Sequence, residues 1–174
     1  FKAQVLIGTR YNEKIKLKPK IEINRELVEL LGIFAAEGSI VKNKGIPNRV
    51  VFGLGAHEKD LINYVCFLVG GVFGADVKPY YVHETARTIA VDSYLAALIF
   101  KEILKTGENS SNKNVPDLIL NLNRELRQRY LIAFLAGDGY PTQVWTRHLI
   151  QKTAPSLEER RKFTATAKNK EFIA

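Results

Sequence analysis

The chain of 174 residues has no methionine, one cysteine and three histidines. A lone cysteine excludes an internal disulfide and any zinc site built on clustered cysteines. Cys66 sits in "LINYVCFLVGGVFGADV", the most apolar stretch, and is expected to be a buried structural thiol. Asn63, Gly70, Gly71 and Gly74 break that stretch. No apolar run reaches the roughly 18 residues that a membrane-spanning helix needs. The opening, "FKAQVLIGTRYNEKIKLK", lacks the basic, apolar, small-residue order of a secretory signal. An intracellular, cytoplasmic protein is expected. The missing methionine suggests a segment of a longer product or a processed piece.

What is present is a core and a surplus of positive charge. Hydrophobic residues make up 46% of the chain, and the net charge is +8. A pI near 9.6 suits a domain that binds a polyanion, because Lys and Arg displace the counterions condensed on nucleic acid. Solvated surface lysines give the same numbers, so charge alone does not decide.

Residues 1–21 alternate weakly and read as a leader or short strands. "INRELVELLGIFAAEG" reads as a helix with Asn24 as N-cap, Glu26 in the first turn and Gly38 as its stop. Leu27, Leu30, Leu31, Phe34 and Ala35 recur at helical spacing. A hairpin turning at Asn43-Lys44-Gly45 follows, then a helix through "HEKDLINYVCFLVGGVFG". A second hairpin turns near His83-Glu84-Thr85, and "YLAALIFKEILKT" reads as a third helix. "GENSSNKNVPD" is polar and rich in breakers, as linkers are. "LILNLNRELRQRYLIAFLAGDG" reads as one long helix, followed by two strands around a longer loop and the start of another helix.

The order is that of an internal repeat. "LLGIFAAEGS" aligns with "YLIAFLAGDG", which matches Glu37 to Asp138, 101 residues on. "VVFGLGAHEKDLI" aligns with "RKFTATAKNKEFI", which matches Phe52 to Phe163, 111 residues on, so the second copy carries a loop ten residues longer. The expected organisation is a leader (1–21), a first repeat (22–106), a linker (107–116) and a second repeat (117–174) that stops before its last hairpin and helix.

Each repeat has a helix that ends in an acid followed by glycine. One acid at a helix end is an ordinary stop, and a slightly unfavourable one, because the C-terminus carries partial negative charge. Two such helices are a different matter. Gly32 and Ala36 share one face of the first, and Ala133 and Gly137 share one face of the second. Small residues let backbones approach closely, which would bring Glu37 and Asp138 together. Adjacent carboxylates repel, and a divalent cation relieves them. Oxygen ligands with no His or Cys nearby favour Mg²⁺ or Ca²⁺, and the Ala36 and Gly137 carbonyls are candidate extra ligands. Mg²⁺ between paired carboxylates suits phosphodiester hydrolysis.

"LLGIFAAEG" and "LIAFLAGDG" resemble the two motifs of a single-chain LAGLIDADG homing endonuclease. The resemblance covers about residues 24–174. It implies an α+β fold of two pseudo-symmetric αββαββα repeats, the second incomplete, with the motif helices at their interface. It implies a site-specific double-strand DNA endonuclease, often carried within an intein or intron, monomeric with an internal two-fold. Glu37 and Asp138 would bind catalytic Mg²⁺, with Mn²⁺ or Ca²⁺ substituting in binding. Lys168, and in the first repeat His57 or Ala56, stand where the family places an assisting basic or polar residue. No intein splicing motif is present, so this piece should not splice.

Candidate DNA contacts in the first repeat are Lys42, Lys44, Asn48, Arg49, Lys78, Tyr80, Tyr81, His83 and Arg87, with Val77, Val82 and Ile89 turned to the other side. In the second they are Gln143, Thr146, Arg147, Gln151, Lys152, Arg161 and Lys162. Arg and Gln suit base edges and Lys suits phosphate. Trp145 is expected to pack in the core. A catalytically decayed DNA-binding module and an intron RNA maturase of the same fold are the competing readings.

Overall fold

A computed structural model of the chain describes residues 7–8, 15–138 and 146–147. Helix α1 spans Arg25–Glu37, and the Asn24 side chain accepts from the Leu27 amide, as an N-cap does. Eight consecutive residues of α1, Leu27 to Phe34, are buried. A helix buried on all sides has neighbours on all sides, and α1 lies between a sheet, a second helix and α5, described below.

Strands β1 (Gly38–Asn43) and β2 (Ile46–Gly55) form a hairpin over Lys44 and Gly45, whose φ values are 50° and 81°. That two-residue left-handed turn matches the twist of its strands. Gly38 does not end α1 in a left-handed cap. It is extended, with φ −86° and ψ 160°, and passes straight into β1. Glycine is needed here for space, since a Cβ would lie 2.5 Å from Phe34 Cγ.

Helix α2 (Lys59–Phe73) ends at Gly74 in the left-handed conformation, φ 72°. Lys18 Nζ bonds the Gly71 carbonyl at 2.8 Å, placing a cation at that helix end. Strands β3 (Tyr80–His83) and β4 (Ala86–Val91) complete an antiparallel sheet of order β1-β2-β4-β3. Register shifts fall at Val41/Lys42 and at Tyr81/His83. The fold is mixed α+β.

The third helix changes character part-way. Residues Tyr94–Leu98 are α-helical (α3), and Ile99–Ile103 widen into a π-helical turn. The turn carries Phe100 into the core, 4.9 Å from the Phe34 ring and 6.0 Å from Phe73. Phe34, Phe52, Phe73 and Phe100 are all fully buried, each contributing about 1.5–3 kcal/mol of transfer free energy. Cys66 is buried in the same hydrophobic core.

The long helix expected after residue 117 is two. Helix α4 (Asp117–Leu120) stops where Asn121 Nδ2 bonds the Asp117 carbonyl at 2.8 Å. Helix α5 (Arg124–Asp138) starts where Asn123 Oδ1 accepts from the Leu126 amide at 2.9 Å. Short amide side chains compete with the helical backbone for hydrogen bonds, and here they break it.

Candidate active site

The small-residue faces of α1 and α5 meet. A Cβ on Gly32 would sit 2.8 Å from Ala133 Cβ and nearer still to the Tyr130 carbonyl oxygen. A Cβ on Gly137 would sit 2.5 Å from Ala36 Cβ and 3.3 Å from Glu37 Cγ. Glycine is what allows both approaches. The helices therefore run together to their acid-ended termini, with Glu37 half-buried and Asp138 exposed.

At the opposite end of this seam lies a buried polar network. Glu29 is fully buried and accepts hydrogen bonds from Tyr64 Oη and, across the seam, from Arg129 Nε at 2.5 Å. Arg25 stands 3.3 Å away, one turn back on α1. Burial pushes the Glu29 carboxyl above its ordinary pKa, and Tyr64, Arg129 and Arg25 pull it back. Tyr130, beside Arg129, is raised to about 12 by burial.

Burial also raises the Glu37 pKa, and the charges of Glu58 and Asp138 add to it. Glu58, at the start of α2, holds the Gly55 amide at 2.7 Å. Three carboxylates thus converge electrically where α1 ends. The counter-charge is Lys113, from the stretch read as a linker. Its Nζ bonds the carbonyl oxygens of Ala35 and Ala36 at 3.1 and 3.0 Å, so it also caps α1. Desolvation lowers the Lys113 pKa, while Glu37 and Asp138 oppose the shift.

The loop that carries Lys113 is firmly placed. The Glu108 carbonyl accepts from the Ile40 amide at 2.8 Å, and Asn112 Oδ1 accepts from the amides of Glu108 and Asn109. Gly107 takes φ 79°, and a Cβ there would strike the Asn112 backbone. Composition marked this stretch as polar and breaker-rich; its packing on α1 depends on backbone hydrogen bonds that composition does not encode.

Among the described residues no group of three or more His, Cys, Asp or Glu is arranged to hold a metal. The donors on hand are the Glu37 and Asp138 carboxylates and nearby main-chain carbonyls, of which Ala36 already accepts Lys113. Two carboxylates suit Mg²⁺, which keeps most of its water and binds protein through one or two acids. Burial is the main reason that the Glu37 pKa is raised, and the smaller part due to Glu58 and Asp138 is the kind a cation relieves.

His57 is exposed in the β2–α2 turn and, with Glu58, Lys59, Asp60, Leu61, Thr146 and Arg147, lines a cleft of about 350 Å³. Thr146 is buried and Arg147 exposed. Lys168, Gln143, Trp145, Gln151, Lys152, Arg161 and Lys162 lie outside the described residues.

The strand candidates divide. Lys44, Lys78, Tyr80, Tyr81 and His83 are exposed, and Asn48 is half-buried. Lys42 is tied to Glu108, and Arg49 pairs with Asp92 at 3.3 Å. The Arg87 guanidinium lies 3.6 Å from the centre of the Tyr81 ring and donates to the carbonyls of His83 and Ala86 at 3.1 and 2.9 Å. Val77 and Ile89 are buried as expected, but Val82 is 62% exposed. The register shift at Tyr81/His83 breaks the alternation that would have turned it inward.

No family model matches the chain. It is 28% identical over 124 residues to an uncharacterised protein, MJ1054, of Methanocaldococcus jannaschii. It is 29% identical over 129 residues to the DNA polymerase II large subunit of Thermococcus kodakarensis, and 29% over 146 residues to the ATP-dependent DNA helicase Hel308 of the same organism. These matches take in 69%, 73% and 79% of this chain but only 14%, 7% and 12% of those proteins.

Proposed function

We propose that the chain is a divalent-metal-dependent, site-specific double-strand DNA endonuclease of the LAGLIDADG type. The observation that carries this is the α1–α5 seam, whose glycine contacts bring two acid-ended helices together with Lys113 beside them. Similarity to short stretches of proteins with different names suits an element carried within unrelated hosts, as an intein-borne nuclease is.

The pseudo-symmetric reading has its own support. An offset of 101 residues takes the buried Leu30, Leu31 and Phe34 of α1 to Leu131, Ile132 and Leu135 of α5. Leu131 is 56% exposed, on the face where a second sheet would lie. In this reading the chain is an intracellular, DNA-associated protein.

Glu37 and Asp138 would hold the Mg²⁺. When bound, the ion lowers the pKa of a water and offsets charge on the phosphate. Lys113 adds positive charge at the same point, and the burial that lowers its pKa keeps the ammonium partly desolvated, where its field is stronger. The seam holds the two acids in place before substrate arrives.

Incubating the chain with a randomised duplex library and Mg²⁺ tests the proposal. Double-strand cutting that needs Mg²⁺ and falls by at least about 100-fold in Asp138→Asn is expected. Cutting that persists in that variant would overturn the paired-acid site. Tight duplex binding without cutting in either protein would point to the decayed binding module, and preference for intron RNA over duplex to the maturase.

A further inference from the structure

Apart from the hydroxyls of Ser39 and Thr88 and the Arg49 side chain, the sheet face turned away from α1 and α2 is small and apolar. The register places Ser39 beside Val51, Val51 beside Ala90, and Gly53 beside Thr88, all on that face, and Val41 follows on β1. Val41 is 40% exposed, and no described residue lies within 4 Å of where a Gly53 Cβ would be. Arg49, on the same face, is engaged by Asp92. Tyr80 and His83 stand at the β3 margin. Exposed cations lie at the rim, Lys44 in the β1–β2 turn and Lys78 ahead of β3.

We propose that this face recognises duplex DNA through thymine methyl groups, so that the half-site it covers is A·T-rich. The inference rests on the nuclease reading above. In the major groove thymine alone presents an apolar group, the C5 methyl, and Val, Ala and Thr methyls are its complement. Guanine presents two acceptors there. Adenine and thymine together present as many polar groups there as guanine and cytosine, so against Val41, Val51 and Ala90 the methyl is what separates the two pairs. The open floor at Gly53 lets the base edges come close. The net charge of +8 and the rim lysines make a polyanion the fitting occupant.

The test selects bound duplexes from a random library in Ca²⁺, then replaces thymine by deoxyuridine, which removes the methyl and keeps the pairing. Binding is read by fluorescence anisotropy. One half of the selected site should be A·T-rich, and its affinity should fall about four-fold for each methyl lost from contact. Val41→Ser and Val51→Ser, checked for folding by thermal melting, should bind thymine and uracil duplexes alike. Equal wild-type affinity for the two duplexes, or selection of G·C-rich halves, overturns the proposal and leaves the nuclease reading standing. Absence of any duplex binding overturns both.

Discussion

The α1–α5 seam and the outer face of the sheet are built from similar residues, small and apolar, and they behave differently. At the seam, glycine is required because another backbone occupies the space, as at Gly32 against the Tyr130 carbonyl. On the sheet, no described residue lies close to where a Gly53 Cβ would be. Each region also carries an ion pair. Glu29–Arg129 is buried, whereas Arg49 and Asp92 are each about one-third exposed. The residue type is the same, and the surroundings set its energetic weight.

The largest predicted effect tests that weighting. Arg129→Leu leaves Glu29 buried without its main cation and should cost about 3–5 kcal/mol in denaturant unfolding. The double variant Glu29→Leu/Arg129→Leu should regain most of it. The single variant also has a pH signature. Its folded Glu29 pKa stays above the ordinary 4.5 because burial dominates, so the folded state holds the proton more tightly than the unfolded one. Stability should therefore decline as pH rises from 4.5 to the raised folded value, and the urea midpoint should be lower at pH 8 than at pH 5.

Gly32→Leu should come next, at about 3 kcal/mol, because neither the Tyr130 carbonyl nor Ala133 can move without parting the helices. Its counterpart Gly53→Ala should stay within about 0.5 kcal/mol of wild type by the same measurement. Equal costs at the two glycines would erase the distinction. Asn24→Ala, which removes the α1 cap, should cost about 1 kcal/mol in thermal unfolding. Smallest is Arg49→Gln, at about 0–1 kcal/mol and fading with added salt, since both partners of the pair are about one-third exposed.

The two regions also differ in how far sequence foretold them. The seam was legible because helical period is rigid: residues four apart share a face whatever surrounds them, so Gly32, Ala36, Ala133 and Gly137 could be assigned to contacts in advance. The strands were less so. Alternation holds only while register holds, and shifts at Val41/Lys42 and Tyr81/His83 changed which side chains reach solvent. Val82 was expected inside and is outside. Lys42, Arg49 and Arg87 have the chemistry of DNA contacts, but their neighbours Glu108, Asp92 and Tyr81 hold them. Lys113 was hidden for a third reason: a loop's path depends on hydrogen bonds made far away in sequence. Glu29 did leave a signal, a lone acid within the apolar run of α1, and Asn123 left one too, with the profile of an N-cap.

The paired acids are the centre of the account, and metal binding tests them without any need for a DNA target. Mn²⁺ is titrated into the chain and into Glu37→Gln and Asp138→Asn, with the free ion followed by electron paramagnetic resonance. Binding is expected in the wild type, and either substitution, by removing one of two charged ligands, should weaken it by more than about ten-fold. Affinity unchanged in both variants would contradict it, and the seam would then be a helix interface alone.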